Sequence, residues 1–143
     1  MFTRFDRLTE ELGLEKIKTI GDAYMVASGL PEPRRDHAKA IVELALRMRA
    51  EMTEFAELGI RIGINSGEVV AGVIGRKRLV YDLWGDTVNI ASRMESQGRE
   101  NEIQISAATY EYIKDQFDCE SIGEIELRGR GKMEAYLVVG RKE

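Results

Sequence analysis

Cysteine, histidine and tryptophan each occur once in these 143 residues, and proline only twice. With Cys119 alone no internal disulfide can form, and the chain fits a reducing compartment. With His37 alone, beside Asp36, neither a His-rich metal centre nor a Ser-His-Asp triad within one chain is expected. Long apolar runs are missing too. None approaches the roughly 20 residues of a membrane span, and Met1-Phe2-Thr3-Arg4-Phe5-Asp6 turns charged too early for a signal peptide. The chain is therefore expected to make no membrane contact itself and to work in the cytoplasm, with any membrane attachment supplied by a larger parent. A large excess of one charge is also absent, the net charge being −4. Arg34-Arg35 and Arg76-Lys77-Arg78 read as short solvated loop clusters, so no nucleic-acid partner is expected.

What the chain does contain suits one domain over residues 1–143, with 43% hydrophobic and 32% charged residues and no internal repeat or linker. Phe2, Phe5, Leu8 and Leu12 recur at helical spacing before Gly13, and no start signal precedes Met1, so the chain is expected to open inside an element. A hairpin is predicted from about Leu14 to Ser28, with Ile17, Ile20, Tyr24 and Val26 on a mostly buried sheet. Asp36 can cap a scaffold helix running to about Leu58. Strands follow at Ile60–Asn65, Val69–Ile74 and Leu79–Trp84, with Gly63 marking a close approach of backbone or ligand. Gly72 and Gly75 lack the Lys-Ser/Thr pair of a P-loop, and packing is the better reading. Asp86 can cap a helix over Thr87–Gln97, and Ser106 another that runs through Phe117 and buries Tyr110 and Ile113. Glu102–Ile105, Ile122–Leu127 and Ala135–Val139 read as strands, the last two around the basic loop Arg128-Gly129-Arg130-Gly131-Lys132. Strands alternating with helices imply a sheet with helices packed on it.

Two stretches stand out. Lys16-Ile17-Lys18-Thr19-Ile20-Gly21-Asp22-Ala23-Tyr24-Met25-Val26 places Lys18 and Asp22 near the end of a hairpin. Taken alone these are a solvated lysine and a turn aspartate. Tyr81-Asp82-Leu83-Trp84-Gly85-Asp86-Thr87-Val88-Asn89-Ile90-Ala91-Ser92-Arg93-Met94 places Asn89 and Arg93 four residues apart on one helix face. Taken alone that is a polar surface.

Together with RIGINSGEVVAGVIG and LRGRGKMEAYLV, these stretches resemble the class III nucleotidyl cyclases over essentially the whole chain, and the bacterial adenylate cyclases, mycobacterial ones included, in particular. The resemblance implies an α+β fold, a ferredoxin-like βαββαβ sheet with helices on one side and a C-terminal extension. It implies cyclisation of ATP to cyclic AMP with two Mg²⁺ or Mn²⁺ per site. Asp22 matches the second metal aspartate. Lys18 and Asp82 match the base-selecting positions. A lysine can donate to adenine N1 and a carboxylate can accept from N6, whereas guanine-selecting relatives resemble Glu and Cys there. Asn89 and Arg93 match the transition-state pair, and Arg128 a triphosphate contact, with Arg130 and Lys132 as the alternative basic residues. A head-to-tail homodimer is implied, because the metal and base/transition-state sets face each other across two chains.

The first strand of the family pattern, which carries the first metal aspartate, has no match, since Asp6 in Phe5-Asp6-Arg7 corresponds to a later helix. The chain is therefore expected to be truncated on its N-terminal side, with the central strand and one aspartate ligand missing, and to be weak or inactive alone. The alternative is a non-catalytic dimerisation or regulatory module of the same fold. A diguanylate-cyclase palm domain is disfavoured because no Gly-Gly-Asp/Glu-Glu-Phe stretch is present.

Overall fold

The computed structural model describes residues 2–30, 33–55, 59–74 and 80–142, with backbone alone for Phe2, Phe55, Val70–Ile74 and Val80–Trp84. Helix α1 (Phe2–Glu11) is followed by strands β1 (Glu15–Ile20) and β2 (Ala23–Ala27), helix α2 (His37–Phe55) and strand β3 (Ile62–Ile64). Strands β4 (Val70–Ile74) and β5 (Val80–Trp84), helix α3 (Asp86–Ser96), strand β6 (Ile103–Ser106) and helix α4 (Ala107–Ile113) come next. Strands β7 (Phe117–Leu127) and β8 (Gly131–Arg141) close the order. The mixed α+β class is the expected one. The expectations for Gly75, for Arg76-Lys77-Arg78 and for a helix end near Leu58 lie outside the described residues.

A four-stranded sheet in the order β3-β6-β8-β7 forms the frame, with β3 parallel to β6 and the other pairs antiparallel. Its two faces are read from register. Ile62 and Ile64 pair with Ile103 and Ile105, and Gly63 with Gln104. The isoleucine face packs under Ala38, Val42 and Ala45 of α2 and Ile113 of α4. The Gly63/Gln104 face meets α3, where Gln104 Nε2 donates to Met94 O at 3.2 Å and Met94 packs on Leu127 and Ala135. All four residues of β6 are consequently buried. Helices α2 and α4 form the expected helical layer, and α3 adds a helix on the opposite face.

The hairpin β1–β2 and the pair β4–β5 form separate two-stranded ladders. Helix α2 links the hairpin to the main sheet. Its Leu44, Met48 and Met52 join Phe5, Leu8 and Leu14 in a second core that also touches Tyr24, Val26, Ile60 and Ile62. Burying such side chains is the main favourable term, roughly 1.5–3 kcal/mol each. Among the described residues, no strand pairs with the outer edge of β3 or the second edge of β2.

Several local expectations are corrected. Ile20 is exposed: it lies three residues beyond buried Ile17, an odd spacing that strand alternation places on the opposite face. Asp36 directly precedes α2 as expected, its carbonyl accepting from Ala40 N at 2.9 Å, and its carboxylate is held by Arg34, which donates from Nε and Nη2 at 2.6 and 2.9 Å. Gly85, not Asp86, is the N-cap of α3, with no side-chain cap bond, and the Asp86 carboxylate pairs with Arg130. Ser106 caps α4 as expected, accepting from Thr109 N at 3.3 Å, but that helix ends at Ile113 and Phe117 begins β7. The loop expected over 128–132 is a tighter turn, since Gly131 already pairs with Leu127.

Candidate active site

Three elements carry the candidate residues. The first is the β1–β2 hairpin. Gly21, at φ +58°, makes its turn, and Asp22 is exposed there. Lys18 is half-buried on β1. The hairpin is braced from α1. Tyr24 Oη donates to Asp6 Oδ1 at 2.6 Å, Lys16 Nζ lies 3.0 Å from the same oxygen, and Tyr24 meets Phe5 edge-on. Burial first, and the Asp6 carboxylate second, push the Tyr24 phenol up to about 12. The Tyr24 and Lys16 hydrogen bonds hold the Asp6 carboxyl below its ordinary value.

The second element is α3, with Asn89 and Arg93 both exposed. Its placement is built into the sheet. A Cβ added to Gly63 would lie 2.6 Å from both Ala91 O and Met94 C, so only glycine lets the helix backbone come this close. The approach predicted at Gly63 is therefore to backbone. At the other end, Asn65 Nδ2 donates to Thr87 O at 3.2 Å while Asn65 Oδ1 accepts from Ser106 Oγ at 2.5 Å. Thr87 Oγ1 donates to Glu68 O at 2.6 Å. Sequence reasoning missed this polar network, and its only visible sign is the cluster of small polar residues at strand ends.

The third element is the β7–β8 turn with Arg128. Arg130 N donates to Leu127 O at 2.8 Å, and Gly129 takes φ +81°, the left-handed angle that favours glycine at the third turn position. Arg128 is exposed at the turn, whereas Arg130 is committed to Asp86.

Strand β5 carries the Asp82 backbone and lies against both β1 and α3. The strands bearing Lys18 and Asp82 are thus neighbours, although the Asp82 side chain lies outside the description. A divalent metal finds one candidate carboxylate in Asp22. No group of three His, Cys, Asp or Glu able to hold a metal occurs among the described residues. One carboxylate fits Mg²⁺, which is commonly bound through one or two carboxylates plus substrate phosphates and water, but it does not fit a closed protein cage.

The sequence pattern of the adenylate and guanylate cyclase catalytic domain matches residues 1–140. An adenylate cyclase of Mycobacterium tuberculosis (strain ATCC 25618 / H37Rv) is 43% identical over 99% of this chain and 33% of its own length. The human guanylate cyclase soluble subunit beta-2 is 42% identical over 97% of this chain and 24% of its own length. The guanylate cyclase domain of RhGC from Catenaria anguillulae, solved in complex with GTP, superposes with a TM-score of 0.95 at 41% identity, over 99% of this chain and 80% of that one. This chain belongs to the class III nucleotidyl cyclase catalytic domains. It spans about a third or less of the length of these two curated relatives. No helix among the described residues is long and apolar enough to cross a membrane.

Proposed function

We propose that this domain is an adenylate cyclase catalytic domain, converting ATP to 3′,5′-cyclic AMP and pyrophosphate in the cytoplasm. The ribose 3′-oxygen attacks the α-phosphorus as its proton leaves, and the bond from the α-phosphorus to the bridging oxygen breaks to release pyrophosphate. The observation that carries the choice of base is the contact between β1, with Lys18, and β5, with Asp82. A lysine donor and a carboxylate acceptor fit adenine N1 and N6, and a buried polar site rejects a mismatched edge because its groups are left unpaired. Relatives with either substrate are similar at comparable identity, so the pair of residues, not the overall likeness, supports ATP.

Asn89 orients the ribose. Arg93, as a planar fork of donors, holds the charge on the α-phosphate, and Arg128 holds the outer phosphates. Asp22 would hold a divalent cation, Mg²⁺ or Mn²⁺, which would lower the pKa of the 3′-hydroxyl and offset phosphate charge. Two chains paired head to tail complete each site, with Asp22 from one and the Lys18/Asp82 and Asn89/Arg93 sets from the other.

The test is product analysis with the full-length protein, supplying ATP or GTP in turn with Mg²⁺ or Mn²⁺. Cyclic AMP from ATP, with GTP turned over at least tenfold less well, is the expected result. A preference for GTP would overturn the base assignment, and no metal-dependent turnover of either would favour a regulatory module.

A further inference from the structure

One residue joins two of the arginines named above. Gln97 is the C-cap of α3, and its backbone N–H donates to Arg93 O at 2.9 Å. Its side-chain amide reaches the β7–β8 hairpin: Nε2 donates to Glu126 O at 2.7 Å, and Oε1 accepts from Arg128 N at 2.9 Å. The two backbone partners flank Leu127, a carbonyl on one side and an N–H on the other. That is the bonding pattern of one rung of a parallel β-ladder, here made by a side-chain amide on the edge of β7 that faces away from β8. The partners also fix the orientation of the amide, since its nitrogen must face the carbonyl and its oxygen the N–H. Leu127 between them is fully buried on Met94 and Ala135. A second tie runs from the first turn of α3, where Asp86 pairs with Arg130 across the same turn.

From this geometry we infer that Gln97 is a positioning residue, which holds the Arg128 turn to the helix carrying Arg93 so that both guanidinium groups meet one triphosphate at a set spacing. The inference rests on the proposed cyclase chemistry for its purpose and on the hydrogen bonds for its mechanism. Beyond the buried Leu127, the exposed backbone at Arg128 has the turn's own Leu127–Arg130 bond and the Asp86–Arg130 pair to hold it. Two extra bonds to a helix that is itself pinned on Gly63 restrict it further before nucleotide arrives. Misplacing a group by about 1 Å can cost on the order of 10²-fold in rate, so precision at Arg128 is worth having. The Asp86–Arg130 pair is solvent-accessible, and such pairs contribute little; Leu127 anchors the strand end in the core, and the Gln97 amide fixes the Arg128 backbone itself.

The test has two arms on the full-length protein. In the first, amide hydrogen exchange is followed without nucleotide in wild type, Gln97→Ala and Gln97→Glu. The Arg128 amide should exchange about tenfold or more faster in Gln97→Ala, and to a smaller degree in Gln97→Glu, which keeps an acceptor but sets an oxygen against Glu126 O. Exchange at Ile105, in the sheet interior, should not change. Equal Arg128 rates in wild type and Gln97→Ala would overturn the tie. In the second arm, kcat/KM for ATP is measured in a double-mutant cycle with Arg128→Ala. Gln97→Ala should lower kcat/KM about tenfold in the wild-type background and leave it unchanged when Arg128 is already alanine. An equal loss in both backgrounds would mean a merely structural role and would overturn the inference. A wild type inactive on both nucleotides would refute the proposed function instead, with the exchange arm still deciding whether Gln97 holds the turn.

Discussion

Tyr24 lies two residues from Asp22, and its hydroxyl proton is given to Asp6 on another element. The folded phenol is pushed up to about 12, from an ordinary value of 10.0. A raised value means that the protonated phenol is favoured by folding. Its contribution to stability is therefore complete below pH 10.0 and is lost as pH rises toward about 12. In a phenolate absorbance titration, Tyr24 and Tyr136 of the five tyrosines should titrate late, and Asp6→Asn should bring Tyr24 earlier without abolishing its shift, because burial is the larger cause. The base-selecting role proposed for Lys18 and Asp82 makes a second prediction at this scale. Lys18→Glu combined with Asp82→Cys should lower ATP turnover and admit GTP, read as the ratio of kcat/KM values for the two nucleotides. An unchanged ratio would remove Lys18 and Asp82 from base selection.

Among the elements, α3 shows most plainly how the fold positions chemistry. It is seated by the absence of a side chain at Gly63, by Asn65 and Thr87 at its start and by Gln97 at its end. Gly63→Ala should push the helix off the sheet. Overpacking of this kind typically costs about 1–3 kcal/mol, so a lower midpoint in urea unfolding is expected together with a disproportionate fall in kcat. A midpoint and kcat both equal to wild type would show that the sheet has room for the methyl. The contrast between what could be read in advance and what could not is physical. The helical periodicity of α1, α2 and α3 and the Gly21-Asp22 turn were legible because they depend on local pattern. The full length of β7 was not, because its polar residues, such as Glu120 and Glu124, face outward on an edge strand and only pairing with β8 defines it. Asp86 was read as a cap from its type, but a tertiary partner, Arg130, takes its carboxylate. Gln97 left no sequence mark at all, because its partners are backbone groups that any residue could supply.

At the scale of the whole molecule, the candidate residues lie on elements gathered from both ends of the chain. The hairpin with Asp22 joins the main sheet through α2, and the turn with Arg128 lies at the far edge strand. The free edges of β2 and β3 leave backbone donors and acceptors without strand partners among the described residues. An edge of this kind is open to pairing with a further strand. The domain is therefore expected to gain stability when a further strand pairs with such an edge. The resemblance to the family carries this expectation, and with it the shared site of a head-to-tail pair. That pairing makes a quantitative prediction. Arg93→Ala should lose about 10²–10³-fold in kcat if the guanidinium stabilises charge in the transition state, and Asp22→Ala should be similarly impaired. In a mixed dimer of the two variants, one site receives intact Asp22 from one chain and intact Arg93 from the other, while the second site receives neither. The most direct measurement is the cyclase activity of these two full-length variants mixed in equal amounts and allowed to exchange. The account predicts recovery to about a quarter of wild-type activity, since half the dimers are mixed and each holds one complete site. No recovery, with mixed dimers shown to be present, would contradict it.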